Sequence, residues 1–382
     1  MENQDSSPIF IHSLFRSGST YLFNVFRRSD SGFWCYQEPL NEKLLIKASQ
    51  PNGFKTRVDG IQELLRHPEL DKAYTYEFHV VADEFTKLFR EEFSYKQFFF
   101  DNSDNLKDIR DYFSALINGA KGRPVFQCCR TSGRVDGLKA AFDGIHIFLW
   151  RNPWDQWWSY KSDNYFSSRN MFIADANNLP AFLQSIKNEL KIPAFTNTHP
   201  SVKHAYFTNR QLDSSGSYAL FYALWCHAML EAKPSCDLAI SIDELSLSNS
   251  IRETAIKKLE QLGIKGIDFT DCLIPRASYG ESDREFFASV EDHIHELLLA
   301  NGYSTEQLNE LTRLSEERIR SVADTSNPAN SAIRDAMRAR EYALRTENKL
   351  SEMQSMLFNA RAQAQNAENR AKQAESRAGQ SK

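Results

Sequence analysis

The sequence predicts an α/β fold with a central parallel sheet flanked by helices. Its strand candidates are short and apolar throughout, which is typical of parallel strands that helices cover on both faces. Helix-like stretches separate them, and this alternation is the pattern of an α/β domain. The predicted strands are Ile9 to Leu14, Pro124 to Cys129, Ile145 to Trp150 and Leu238 to Ile242. The predicted helices are Ser19 to Arg28, Thr56 to Arg66, Leu106 to Ile117, Arg134 to Phe142, Trp154 to Tyr165 and Ser248 to Leu262.

A polar stretch around Pro328 divides the chain. We expect residues 1–322 to form the α/β domain, 323–331 a linker and 332–382 a tail. Alanine-dominated positions in the tail recur at alternating steps of four and three, which is a heptad pattern. The pattern predicts a long C-terminal helix that forms a homo-oligomer or docks on a partner; a solvated helix is the alternative. The polar segment from Ser167 to Ser217 is predicted to be an insertion near the site.

Composition excludes several classes of protein. The net charge of -4 comes from 46 basic and 50 acidic residues, so no overall positive field attracts nucleic acid. The six cysteines show no Cys-x-x-Cys motif and no metal-type spacing with histidine, so we expect no metal, and Cys128 and Cys129 are expected to be buried thiols. The first residues lack the basic region of a signal peptide, and no apolar run approaches the roughly 20 residues of a membrane span. We therefore expect a cytoplasmic protein with no transmembrane segment.

The stretch Phe15-Arg16-Ser17-Gly18-Ser19-Thr20 lies where the first predicted strand turns into a helix. The first backbone N–H groups of a helix have no partner within the helix, and the helix dipole adds positive potential there. Gly18 lets the backbone approach a ligand closely, the three hydroxyls of Ser17, Ser19 and Thr20 are donors, and Arg16 offers a guanidinium. The stretch therefore predicts an anion-binding loop.

A second motif, Arg151-Asn152-Pro153 followed by Ser159, comes after the third predicted strand. Ligands of parallel sheets collect at the carboxyl ends of the strands, so we expect both motifs to face one ligand with two separated anionic groups. A Walker A loop would place a lysine after its last glycine, and none follows Gly18. Phosphoryl transfer from ATP is therefore disfavoured, although a P-loop small-molecule kinase remains an alternative, with Asp243-Glu244 as a weak metal candidate.

Together the motifs resemble those of sulfotransferases that use 3′-phosphoadenosine 5′-phosphosulfate. Members of that family carry a lysine or arginine followed by Ser-Gly and two hydroxyl residues, and Arg16 to Thr20 match this pattern. They also carry an arginine, then Asn/Asp-Pro, then a serine eight positions after the arginine, as Arg151 and Ser159 do. The run Leu238 to Leu245 is similar to the family's late strand and its acidic pair. The resemblance spans roughly residues 8–265 and implies a P-loop-NTPase-like fold for the domain.

The resemblance also implies roles. Arg16 to Thr20 would hold the 5′ end of the donor, and Arg151 with Ser159 would hold its 3′-phosphate. Arg16 would stabilise charge on the leaving phosphate, and no metal would be required. The acceptor would be a hydroxyl-bearing small molecule or glycan. The other alternative is a catalytically inactive nucleotide-binding scaffold whose coiled-coil tail is the functional part.

The acceptor hydroxyl must lose a proton, so a base is expected near it. Glu38 follows an aromatic stretch that we expect to desolvate it, and some family members use a glutamate from such a Glu-Pro region. Others use a histidine, so His12 and His79 remain alternatives. The Glu38-Pro39 pair resembles carbohydrate-specific members, which favours a carbohydrate or glycoconjugate acceptor.

For two further groups of residues the sequence leaves two alternative roles open. Arg130 and Arg134 follow the second predicted strand and either contact the donor or a sulfated acceptor, or pair with nearby carboxylates. Trp154, Trp157 and Trp158 lie at helical spacing, which predicts a core stripe, or a ring that stacks on adenine or a sugar.

Overall fold

A five-stranded parallel sheet forms the centre of the protein. The structure is a computed structural model that describes residues 7–56, 72–100, 106–161, 164–196, 200–274 and 279–322. Across the sheet the strand order is β2-β3-β1-β4-β5. The strands are β1 (Ile9–Ser13), β2 (Phe33–Gln37), β3 (Arg123–Cys128), β4 (Ile145–Trp150) and β5 (Leu238–Ser241).

Helices follow the strands and supply most of the remaining regular structure. Those of the first part are α1 (Ser19–Arg27), α2 (Lys43–Ala48), α3 (Ala82–Leu88), α4 (Lys107–Gly119), α5 (Val135–Ala141), α6 (Pro153–Tyr160), α7 (Asn164–Ala174) and α8 (Ala181–Glu189). The later ones are α9 (Pro200–Asn209), α10 (Ser214–His227), α11 (Lys233–Ser235), α12 (Ile242–Leu245), α13 (Asn249–Gln261), α14 (Glu281–Ala300) and α15 (Thr305–Val322). Short 3₁₀ helices cover Tyr76–Val81 and Glu91–Phe93, and a π-helix covers Ala228–Ala232.

Apolar side chains cover the sheet on both faces. On one face, Ile9 and Ile11 of β1 pack in a cluster with side chains of α1 and α13. On the other face, Phe10 of β1 packs in an aromatic-rich cluster with side chains of α3, α4 and α5. Because side chains of a strand alternate between faces, a sheet buried on both sides needs the continuous apolar runs found in the sequence. The α/β fold with a helix-flanked parallel sheet is therefore confirmed.

The observed elements differ from the predicted ones in several places, and the helices α2, α3, α14 and α15 were not among the predicted ones. The sheet has a fifth strand, β2, which the predicted strands omit. The helix expected from Trp154 to Tyr165 ends at Tyr160, and Tyr165 lies in the next helix, α7. The predicted insertion contains the helices α7, α8 and α9. The predicted helix from Thr56 to Arg66 lies almost wholly outside the described residues, as do the predicted linker 323–331 and tail 332–382.

The connections create a crevice between the two central strands β1 and β4. After β1 the chain turns toward β2 on one side, and after β4 it turns toward β5 on the other. Such a switch in direction opens a crevice at the carboxyl ends of the strands, where ligands of these sheets bind. Ser13 pairs with Leu149 at that edge, so the loops that begin at Leu14 and Arg151 start side by side.

Within the described ranges, none of the helices combines the length and the apolar character that crossing a membrane requires.

Candidate functional site

The loop between β1 and α1 holds an unusual backbone. Arg16 has a φ of 64° and Gly18 a φ of 87°, and a non-glycine residue in this region is uncommon and concentrated at functional sites. A Cβ on Gly18 would lie 2.7 Å from Cγ1 of Ile242, so the loop passes close to the end of β5. Buried Ser17 fixes the turn because its Oγ donates to the Leu14 carbonyl at 2.9 Å. Glycine has no side chain that could cap the helix, and the first N–H groups of α1, which have no partner within the helix, point toward this loop.

The two sequence motifs meet in the crevice. Nε of Arg16 donates to Oγ of Ser159 on α6 at 2.8 Å. The Arg16 guanidinium also lies over the ring of Phe166, 5.1 Å from its centroid. The first loop and the helix after β4 are thus joined by a polar side-chain contact between residues 143 positions apart.

Arg151 occupies the next corner, between β4 and β5. Its Nε lies 3.6 Å from Oδ1 of Asp243, and both side chains are buried. Asp243 also accepts the Asn152 N–H at 2.6 Å, so it fixes the backbone of the β4 loop as well. Burial lowers the pKa of Arg151, an effect that the nearby Asp155 and Tyr279 partly oppose. Asp243, named above as a weak metal candidate, thus forms an ion pair with Arg151.

Asn152 positions the start of α6. Its Oδ1 accepts the Trp154 N–H at 3.0 Å and caps the helix, while Pro153 occupies the first turn, where its missing N–H has no cost. Nδ2 of Asn152 donates to the Ser315 carbonyl of α15 at 2.7 Å. Asn-Pro after the strand thus sets the direction of the helix that carries Ser159.

The remaining hydroxyls of the first loop differ in environment. Ser19 is buried, and its Oγ accepts from the Cys129 thiol at 3.4 Å, whereas Thr20 is partly buried. Cys128 and Cys129 are both buried and outside any disulfide, as predicted. Burial, first of all, raises the pKa of each thiol, so neither is a thiolate nucleophile at neutral pH.

Glu38 lies at the carboxyl end of β2 with a φ of 50°. Its Oε1 accepts the Cys129 N–H at 2.9 Å and the Gln127 side chain at 3.3 Å. Its Oε2 binds Nη1 of Arg130. The sequence predicted an apolar environment from the neighbouring aromatic residues, but the carboxylate sits among donors instead. It keeps 15% side-chain exposure, so a substrate can still reach it.

Arg130 is the centre of a network that the sequence did not reveal. It is fully buried, and Nη2 donates to Glu42 at 3.1 Å, to Tyr95 at 2.9 Å and to Tyr165 at 3.2 Å. Of the two alternatives given for Arg130, contact with a ligand or pairing with nearby carboxylates, the structure shows the second, with Glu38 and Glu42. We call the group the acidic–arginine cluster; it consists of Glu38, Glu42, Arg130 and Arg169 with Tyr95 and Tyr165.

Phe15 connects this cluster to the first loop. The Arg130 guanidinium lies 5.1 Å from the centroid of the Phe15 ring, and Phe15 precedes Arg16. Phe166, which contacts Arg16, packs 6.0 Å from Phe15 between ring centroids. The candidate site therefore has two adjoining halves, a loop half around Arg16 and an acidic–arginine half around Arg130.

The two histidine alternatives lie in different surroundings. His12 is buried in β1, where Nδ1 contacts the Thr131 hydroxyl at 2.9 Å and Nε2 contacts Nδ1 of His146 at 3.0 Å. Burial, and then His146, hold the pKa of His12 well below its usual range, so it takes up a proton poorly. Nδ1 of His79 contacts the Tyr76 carbonyl at 2.6 Å.

Arg134 faces the aromatic core rather than a carboxylate. Its Nη2 donates to the Phe93 carbonyl at 2.8 Å, and its guanidinium lies over the rings of Phe98 and Phe100. Burial lowers its pKa to about 9.

The prediction of a tryptophan core stripe is confirmed. Trp154, Trp157 and Trp158 are all buried, and Trp154 stacks on Phe287 with a centroid distance of 4.4 Å. Its Nε1 donates to Glu291 of α14 at 2.6 Å. The stripe anchors α6, and with it Ser159, to the helices behind the site.

Among the described side chains, no three of histidine, cysteine, aspartate or glutamate are grouped so that they could hold a metal ion. The chain matches no protein-family model, no curated protein and no solved structure.

Proposed function

We propose that the protein is a sulfotransferase that moves the sulfuryl group of 3′-phosphoadenosine 5′-phosphosulfate to an acceptor hydroxyl. The observation that carries the proposal is the hydrogen bond between Arg16 and Ser159. It joins the anion-binding loop to the arginine–serine motif at the switch point of the sheet, where a ligand is expected.

The charge distribution supports a donor with two anionic groups. The first loop offers the helix N-terminus and Arg16 to one group. Arg151, the first residue after β4, offers a second cation to the other, and Ser159 of the same motif accepts from Arg16. A donor with a 5′-phosphosulfate and a separate 3′-phosphate has this double requirement.

Alignment and charge stabilisation carry a reaction of this kind, because the protein forms no covalent bond. The acceptor oxygen attacks sulfur, and the bond between sulfur and the bridging oxygen breaks. The electron pair of that bond stays on the 5′-phosphate, where Arg16 stabilises it. Ser159 holds the Arg16 guanidinium in place. The acceptor proton passes to the carboxylate of Glu38, which Arg130 and the Cys129 N–H keep oriented.

We further propose that the domain has the P-loop-like fold of these enzymes and acts in the cytoplasm on a carbohydrate or glycoconjugate. The heptad pattern of residues 332–382 supports a helical tail that forms a homo-oligomer. A chain that ends at Asn330 should then have a smaller number of subunits in sedimentation equilibrium; an unchanged number would refute this role of the tail.

Transfer of labelled sulfate from the donor to a panel of saccharides tests the activity. We expect transfer without added metal, and an Arg16→Ala protein at least about a hundredfold slower, as for loss of one transition-state donor. Arg90→Ala, which removes an exposed arginine outside the site, is the control and should be unaffected. Magnesium-dependent consumption of ATP would favour a kinase instead, and nucleotide binding without transfer would favour a scaffold.

A further inference from the structure

The acidic–arginine half contains fewer carboxylates than cations, and the difference lies at Arg169. Arg169 of α7 is buried, with 3% exposure. Its nearest carboxylate is Glu42, whose Oε1 lies 3.6 Å from Nη1. Within the described residues, Nε and Nη1 of Arg169 have no hydrogen-bond acceptor. Its Nη2 contacts Nε2 of His204 at 3.3 Å.

Glu42 is shared between two guanidiniums. Its other oxygen accepts from Arg130 at 3.1 Å. Burial alone would raise the pKa of Glu42, but Arg130 and Arg169 together lower it, so the group is ionised at neutral pH. One carboxylate therefore serves two buried cations. A buried guanidinium with unmade hydrogen bonds is costly, so a further acceptor would stabilise Arg169.

A third cation completes the outer part of this half. Nζ of Lys43 lies 4.3 Å from the centroid of the Tyr165 ring, and the guanidinium of Arg169 lies at the same distance from it. Lys43 and His204 are exposed whereas Arg169 is buried, so the group leads from solvent inward. Among the described residues, three cations, Arg130, Arg169 and Lys43, face two carboxylates, Glu38 and Glu42.

We propose that Arg169 and Lys43 bind an anionic substituent of the acceptor, such as the carboxylate of a uronic acid or a sulfate ester already in place. The inference rests on the proposed function, since it assigns the substrate class of that same site. An anion between Arg169 and Lys43 would accept the unmade guanidinium hydrogen bonds. Glu38 binds the same Arg130 that Tyr165 contacts, so an acceptor anchored here lies beside the proposed base.

Direct titration tests the site without requiring catalysis. The probes are a sulfated disaccharide and a uronic-acid disaccharide, each paired with its neutral counterpart. We expect both anionic sugars to bind at least about tenfold more tightly than their neutral counterparts, because charge-assisted hydrogen bonds carry the difference. Preference for only one of them would identify the source of the anion. Equal binding of charged and neutral sugars would overturn the proposal.

Variants of Arg169 and Lys43 test whether these two residues cause the preference for anionic sugars. Arg169→Gln should lower the affinity ratio between anionic and neutral sugars by at least about tenfold. Arg169→Lys should retain part of that ratio, because the charge remains but the planar fork is lost. Lys43→Gln gives an independent test at an exposed position, should Arg169→Gln fail to fold. Lys47→Gln, one turn further along α2, is the matched control. Unchanged discrimination in Lys43→Gln and in any folded Arg169→Gln protein would refute the site.

Two further readouts separate this inference from the proposed function. Affinity for 3′-phosphoadenosine 5′-phosphate should stay within about twofold in the Arg169 and Lys43 variants, because these residues lie on the acceptor side. If the parent transfers sulfate equally to charged and neutral sugars, the acceptor inference fails alone. If anionic sugars bind through Arg169 but no sulfate is transferred, the proposed function fails while the anion site stands.

Discussion

The glutamate behind the tryptophan stripe gives the clearest pH dependence of stability. Glu291 is buried in α14, and its Oε1 accepts from the Trp154 indole at 2.6 Å and from the Tyr218 hydroxyl at 2.5 Å. Burial raises its pKa to about 7, from an ordinary value of 4.5, and its hydrogen bonds oppose the rise only in part. A rise of this size corresponds to about 3 kcal/mol of unfolding free energy.

The sign follows from the direction of the pKa change. Because the folded pKa lies above the unfolded one, the contribution of Glu291 to stability is complete below about pH 4.5 and is lost as the pH rises through 7. Glu291→Gln keeps an acceptor oxygen for Trp154 and Tyr218 but carries no charge. The free energy of unfolding of the variant should therefore rise relative to that of the parent as the pH rises, by up to about 3 kcal/mol near pH 8.

Urea unfolding at pH 5, 6, 7 and 8, followed by circular dichroism, measures the difference between parent and variant. Buried histidines such as His12 also make stability pH-dependent, but they are common to both proteins and cancel. Glu296→Gln, an exposed position on the same helix, should show no such trend. A difference between Glu291→Gln and the parent that is the same at every pH would refute the reasoning.

Three further predictions concern the site. Gly18→Ala should destabilise more than Gly32→Ala, because both have positive φ but only the Gly18 Cβ would meet Ile242 at 2.7 Å; equal loss of stability in thermal melts would show that the close approach is unimportant. Ser159→Ala should lower turnover by about tenfold, since it removes the hydroxyl that fixes the first-loop guanidinium; single-turnover kinetics at the parental rate would contradict this role. Glu38→Gln should abolish most sulfate transfer but leave nucleotide affinity unchanged; normal transfer would exclude it as the base.

The positions of the strands could be predicted from the sequence where helices cover both faces of the sheet. β1 and β4 lie between strands in the sheet centre, and their unbroken apolar runs predicted them within one residue. β2 lies at the edge, and its sequence Phe33 to Gln37 has no comparable aliphatic run. It therefore escaped the pattern that identified the other strands.

The loop half of the site could likewise be predicted, because the carboxyl ends of adjacent parallel strands lie at the same edge of the sheet. The proximity of Arg16 and Ser159 follows from that rule and from the position of α6. The acidic–arginine half was not, since Arg169 lies in the predicted insertion, which lacks clear periodicity, and Tyr165 was expected at the end of the preceding helix. The pairing of Arg169 with Glu42 depends on how its helix folds back, which no local pattern encodes.

The central claim is that the corners at Arg16 and Arg151 hold the two anionic groups of one nucleotide. Calorimetric titration with 3′-phosphoadenosine 5′-phosphate and with adenosine 5′-monophosphate, both without magnesium, tests it most directly. The account predicts at least about tenfold tighter binding of the nucleotide with the 3′-phosphate, and loss of that preference in Arg151→Gln. Equal affinity of the parent for both nucleotides would contradict it.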